Sequence, residues 1–106
     1  MSLRVFNPIS TNDEEKIKDL SEPQKYLKPF LIAYIGNIPN VAFVLHSGKV
    51  RIYNKKQERI VSEPGVFLLR HLLESKGSPF NVEILAESIV SPLDKTLIKQ
   101  LGLSAS

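Results

Sequence analysis

The sequence predicts an α+β fold, a small antiparallel sheet centred on a hairpin over residues 41–53 and packed by two to three helices. Three observations carry this expectation. Two β-rich runs, Val41-Ala42-Phe43-Val44-Leu45-His46 and Lys49-Val50-Arg51-Ile52-Tyr53, flank Ser47-Gly48, and a two-residue loop with glycine suits a tight turn. A leucine-rich stretch after Pro64 has helical spacing, with Val66, Leu69 and Leu73 joined by Leu68 and Leu72. The length of 106 residues, 42% hydrophobic and 24% charged, matches one modest core, so residues 1–103 are expected to form a single domain with a frayed tail at 104–106.

The elements follow in order. Thr11, Asn12 and Asp13 offer capping oxygens to a helix running to about Leu20, with Asp13, Glu14 and Glu15 at the positive end of its dipole. Pro23 ends that helix or starts a second short one, and a helical turn before Lys28 is compatible with the residues there. Phe30-Leu31-Ile32-Ala33-Tyr34-Ile35, bounded by Pro29 and Gly36, reads as a buried strand. Across Ser47-Gly48, Leu45 is expected opposite Val50 and Phe43 opposite Ile52. The other face would then carry His46, Lys49, Val44, Arg51, Ala42 and Tyr53. Asn54–Gln57 is a turn, Glu58–Val61 a return strand, and Ser62 the cap of a helix that Gly77 terminates. Phe80–Leu85 is a further strand. Ser91-Pro92-Leu93-Asp94 opens a closing helix that stops at Gly102.

Composition excludes several kinds of chemistry. Cysteine is absent, which removes disulfides, thiol catalysis and thiolate metal sites and suits a reducing cytoplasm. His46 and His71 lack a second ligand at metal spacing, and the glycines are isolated, so no metal, cofactor or phosphate loop is predicted. No nucleophile motif is present, and an enzyme is not expected. No window approaches the ~20 apolar residues of a membrane span, and the first residues do not form a secretory signal, so no membrane partner is expected.

Charge is unevenly placed within a net +3. The middle third holds Lys25, Lys28, Lys49, Arg51, Lys55, Lys56 and Arg59 against Glu58 alone. Cations beside an aromatic suit phosphates and a stacked base, so Lys49, Arg51, Tyr53, Lys55, Lys56 and Arg59 are the predicted nucleic-acid-binding residues. The expected partner is RNA or a ribonucleoprotein. The alternative is a protein-interaction or homo-oligomerisation module that uses a sheet edge or the 64–76 helix, with a protein partner or a homodimer and no nucleic acid.

Pro8-Ile9-Ser10, Glu14-Glu15 and Phe43-Val44-Leu45-His46-Ser47-Gly48-Lys49-Val50 resemble the N-terminal (pre-PUA) domain of PUA-containing ribosome-biogenesis factors. The shared features are an opening helix and a Phe-x-Leu-His hairpin followed by a basic residue and Val. The resemblance implies a small α+β module without enzymatic activity that acts beside an RNA-binding PUA domain in pre-ribosomal RNA processing. Residues 77–106 show no likeness to a PUA domain.

Overall fold

The computed structural model describes residues 5–103, so the tail anticipated at 104–106 lies outside the described residues. In chain order the elements are β1 (Phe6–Pro8), α1 (Thr11–Leu20), β2 (Gln24–Tyr26), β3 (Phe30–Ala33), β4 (Ala42–Ser47), β5 (Val50–Tyr53), β6 (Glu58–Val61), β7 (Gly65–Phe67), α2 (Leu69–Glu74), β8 (Asn81–Ile84), β9 (Ser88–Leu93) and α3 (Lys95–Leu101). The strands form two antiparallel sheets, ordered β1-β7-β4-β9-β2 and β3-β8-β5-β6. This corrects the expected fold class, since a two-sheet sandwich replaces the single small sheet packed by helices.

The 41–53 hairpin does not form. β4 gives one edge to β7 and the other to β9, while β5 lies between β6 and β8. A strand has two hydrogen-bonding edges, so β4 and β5 have none left for each other. Gly48, at φ +97°, is the corner where the chain leaves one sheet for the other. A Cβ there would lie 2.5 Å from Ser88 Cα, so the corner is also a site of close backbone approach.

The two sheets face each other across an apolar layer. Leu45 sits opposite Val90 and Phe43 opposite Phe67 in one sheet, and Val50 opposite Ile84 and Ile52 opposite Val82 in the other. Leu45, Ile52, Phe67, Val82, Ile84 and Val90 belong to one buried cluster, each worth roughly 1.5–3 kcal/mol of burial. The reverse face of the five-stranded sheet carries Ala42, Val44, Val66 and Leu93, which pack with Ile17 of α1, Leu69 and Leu72 of α2 and Ile98 of α3. Helices, sheet and sheet make three layers. The outer face of the four-stranded sheet is left to Arg51, Tyr53, Glu58, Ile60 and Glu83.

Local chemistry sets the element ends. Ser10 caps α1, its hydroxyl accepting from Asp13 N–H at 3.1 Å, ahead of the three residues expected to do so. Asp94 caps α3 by accepting from Leu97 N–H at 2.8 Å, and Gly102 closes it at φ +66° as expected. Ser91 and Pro92, expected to open that helix, instead lie in β9. The helix expected after Pro64 is corrected to β7 followed by the short α2. Gly65 packs against the Phe6 ring, where a Cβ would lie 2.6 Å from Phe6 Cζ, and this fixes its stretch as strand. The residues after Pro23 form β2 rather than a helical turn. β3 is an edge strand with Phe30 half exposed, not a fully buried one.

Candidate functional site

A sandwich offers a small ligand the space between its sheets and the loops that close its mouth. Here the β7–β8 connection contributes Leu68 and Phe80 to the layer between the sheets. Leu68 stands between β7 and α2 at φ +67°, a left-handed conformation that a bulky residue rarely adopts, and its side chain is fully buried in the inter-sheet cluster. The strain is held by Leu68 N–H donating to Val5 O at 2.7 Å. Ser78 is buried, its hydroxyl donating to Phe80 O at 2.5 Å. That bond sets the turn that carries Phe80 into the same cluster, where it is 7% exposed. Leu68 and Phe80 thus meet the inner faces of both sheets. Sequence reasoning missed these residues, since nothing local signals a left-handed leucine.

The electrostatics of this space are plain. Among the described residues the buried polar side chains are Ser21, His46, His71, Ser78, Ser88 and Ser91, with no lysine or arginine. Ser88 already bonds the corner, accepting from Lys49 N–H and donating to Lys49 O, each at 3.0 Å. Among the described residues the inter-sheet cluster is apolar, and no lysine or arginine is buried.

His46 forms a second polar centre, on the helix side. It is buried in β4, not on a hairpin face beside Lys49 and Arg51. Its Nδ1 is 3.2 Å from Glu14 Oε1 of α1 and its Nε2 is 2.7 Å from Ser91 Oγ of β9. Ser91 Oγ also donates to Ser21 O at 3.2 Å. A serine has one proton to give. Neutral His46 donating from Nδ1 to Glu14 needs the Ser91 proton for Nε2, whereas protonated His46 donates from both nitrogens and frees Ser91 to bond Ser21 O. Burial pushes the imidazole below its ordinary value. The Glu14 hydrogen bond and charge oppose this, and Lys18 reinforces it. A histidine with a depressed folded value takes up its proton first in the unfolded chain. The stability it contributes is therefore present above about pH 6.5 and lost as pH falls from there. Thermal melts of the wild type are expected to fall more steeply below that pH than those of His46→Gln, and parallel slopes would contradict this.

The six predicted nucleic-acid residues do not form one cationic face. Arg51 is bonded to Glu58 at 2.7 Å, lies 3.7 Å from Glu83, and stacks 3.9 Å from the Tyr53 ring centroid. Its charge is met, and Glu58 beside it holds its pKa above the ordinary value. Lys49 is exposed at the Gly48 corner, and Lys55 and Lys56 occupy the β5–β6 turn. Arg59 pairs in register with Ile52 and so lies on the opposite side of the sheet from Arg51 and Tyr53. The expected pairing of His46, Val44 and Ala42 with this face is also corrected, because those three lie in the other sheet under the helices. Among the described residues no helix is long and apolar enough to cross a membrane.

No family model and no curated protein matches the sequence. Solved structures match the fold. A protein of a cyclic-GMP-dependent signalling pathway that regulates bacterial phytopathogenesis aligns at TM-score 0.76 and 9% identity, over 89% of this chain and 79% of its own. The Thermus thermophilus catabolite activator protein aligns at 0.64 and 18%, over 89% of this chain and 49% of its own. PKAR CBD2 with bound Sp-2Cl-cAMPS aligns at 0.69 and 19%, over 89% and 66%. These findings overturn the pre-PUA resemblance, whose short motifs fall on β1, on α1 and its cap, and on β4 with the corner that follows it rather than on a hairpin. They also overturn the RNA or ribonucleoprotein reading and give its alternative, an interaction or oligomerisation module, no better support. The chain shares the two-sheet β-sandwich fold of these solved structures.

Proposed function

We propose that residues 5–103 act as a single non-catalytic regulatory domain of the cyclic-nucleotide-binding type that works without a cyclic nucleotide between its sheets. The observation that carries this reading is the apolar filling of that space, with Leu68 and Phe80 buried in it and no lysine or arginine among the buried described residues. A cyclic nucleotide brings a phosphodiester charge, and burying it unpaired costs several kcal/mol before any side chain is displaced. Entry would further require Phe80 to leave its cluster, at about 3–5 kcal/mol by analogy with its truncation.

The fold likeness supports a signalling role, and the helices offer a route for it. α1 and α3 pack on the same sheet face, and Ser21, at the end of α1, donates to Pro92 O of β9 at 2.7 Å. A shift of either helix is thereby coupled to β9 and the sandwich. Isothermal titration with cyclic AMP and with cyclic GMP is expected to give no saturable heat at millimolar ligand. Micromolar binding of either would overturn the proposal.

A further inference from the structure

One end of the four-stranded sheet presents two turns side by side. In the first, Asn37 N–H donates to Tyr34 O at 3.0 Å, with Gly36 at φ +85°, so Ile35 and Gly36 form its tip and Tyr34 opens it. The turn is braced rather than loose. Gly36 N–H donates to Ser78 O at 2.7 Å, Ser78 N–H to Asn37 O at 2.9 Å, and Ile35 N–H to Asn81 Oδ1 at 3.0 Å. Yet its side chains face water, with Tyr34 65%, Ile35 50% and Ile38 54% exposed. In the second turn Asn54 Oδ1 accepts from Lys56 N–H at 2.8 Å and Gln57 N–H at 2.9 Å, which fixes Lys55 and Lys56 outward. The turns meet: Ile35, Pro79, Asn54, Lys55 and Lys56 line one shallow hollow of about 440 Å³. Among the described residues Lys55 and Lys56 have no carboxylate within ion-pair distance.

Apolar side chains held in water by a rigid turn are a cost that a contact surface would remove. Paired lysines at their flank state the charge of what covers them. We propose that this end of the sandwich docks on an anionic lipid bilayer, with Tyr34, Ile35 and Ile38 entering the headgroup region and Lys55 and Lys56 meeting the negative surface. A tyrosine suits the boundary, since its ring is apolar and its hydroxyl stays wet. Two lysines and a few shallow apolar groups give reversible attachment of the peripheral kind. A surface of this kind needs no spanning segment. The proposal is independent of whether the interior holds a ligand.

Co-sedimentation of the full chain with phosphatidylserine-rich vesicles tests it, with pure phosphatidylcholine vesicles as the neutral arm. Binding is expected to the first and not the second, and to weaken as salt rises. Lys55→Glu/Lys56→Glu is expected to lower affinity by roughly thirtyfold or more, from about fivefold per lysine near such a surface. Ile35→Ser is expected to lower it roughly tenfold. Lys99→Glu, an exposed charge change on α3, is expected to leave binding unchanged. All four positions are exposed, and unchanged thermal melts confirm that the variants fold. Absence of vesicle binding at low salt, equal binding to neutral vesicles, or an equal loss in Lys99→Glu would overturn the proposal. So would a soluble phosphoserine headgroup that abolishes vesicle binding at millimolar concentration, because it would make the site a small-anion pocket.

Discussion

Replacing Gly48 with asparagine is expected to destabilise the protein by about 3 kcal/mol or more. Asparagine is among the best residues for positive φ, and in a hairpin turn of the expected kind the change would be nearly neutral. At the sheet-to-sheet corner it meets a second obstacle, since a Cβ would sit 2.5 Å from the backbone Cα of Ser88. Ser88→Gly removes the serine side chain but not that Cα, so the double variant should recover only part of the loss. Ser88 also serves both backbone groups of Lys49, so its own removal carries a cost. Urea unfolding of the single and double variants measures both effects, and a near-neutral Gly48→Asn would argue for a hairpin.

Phe67→Ala is expected to cost about 3–5 kcal/mol, enough to leave a domain of this size marginal. Phe67 is 1% exposed in β7, between Phe6 of β1, whose ring lies 5.0 Å away centroid to centroid, and Phe43 of β4. It belongs to the inter-sheet layer, so its loss opens a cavity that the rigid strands on either side close poorly. In the helix expected after Pro64, Phe67 is not among the apolar-face residues, and the same change there would cost less. Ile60→Ala, on the outer face of the edge strand β6, is expected to stay within about 0.5 kcal/mol. Denaturant midpoints at constant m-value separate the two.

What the sequence revealed was local. α1 was legible in its acidic first turn and Ile17, the β5–β6 turn in Asn54, and the stop of α3 in Gly102, because each depends on residues within a few positions. β7 was hidden for a physical reason. Its sheet is covered by the other sheet on one side and by helices on the other, so Gly65, Val66 and Phe67 are all buried and show no alternation to betray a strand. Gly48 was ambiguous because a corner and a turn ask for the same positive φ, and only distant Val90 and Val66 decide which edges of β4 are taken. The basic residues were counted against Glu58 alone. Glu83, far along the chain, reaches Arg51 only through the β5–β8 pairing. The closed interior was the least legible feature, since it rests on where Leu68 and Phe80 point.

That interior is the centre of the account, and a methyl–methyl nuclear Overhauser map recorded with and without cyclic AMP or cyclic GMP tests it most directly. Contacts linking Leu45 and Val90 of one sheet with Ile52, Val82 and Ile84 of the other are expected, with Leu68 and the Phe80 ring among them, and unchanged at millimolar nucleotide. Loss of the Phe80 contacts with saturable shifts at Leu68 and Val82 would contradict a sandwich closed to such ligands.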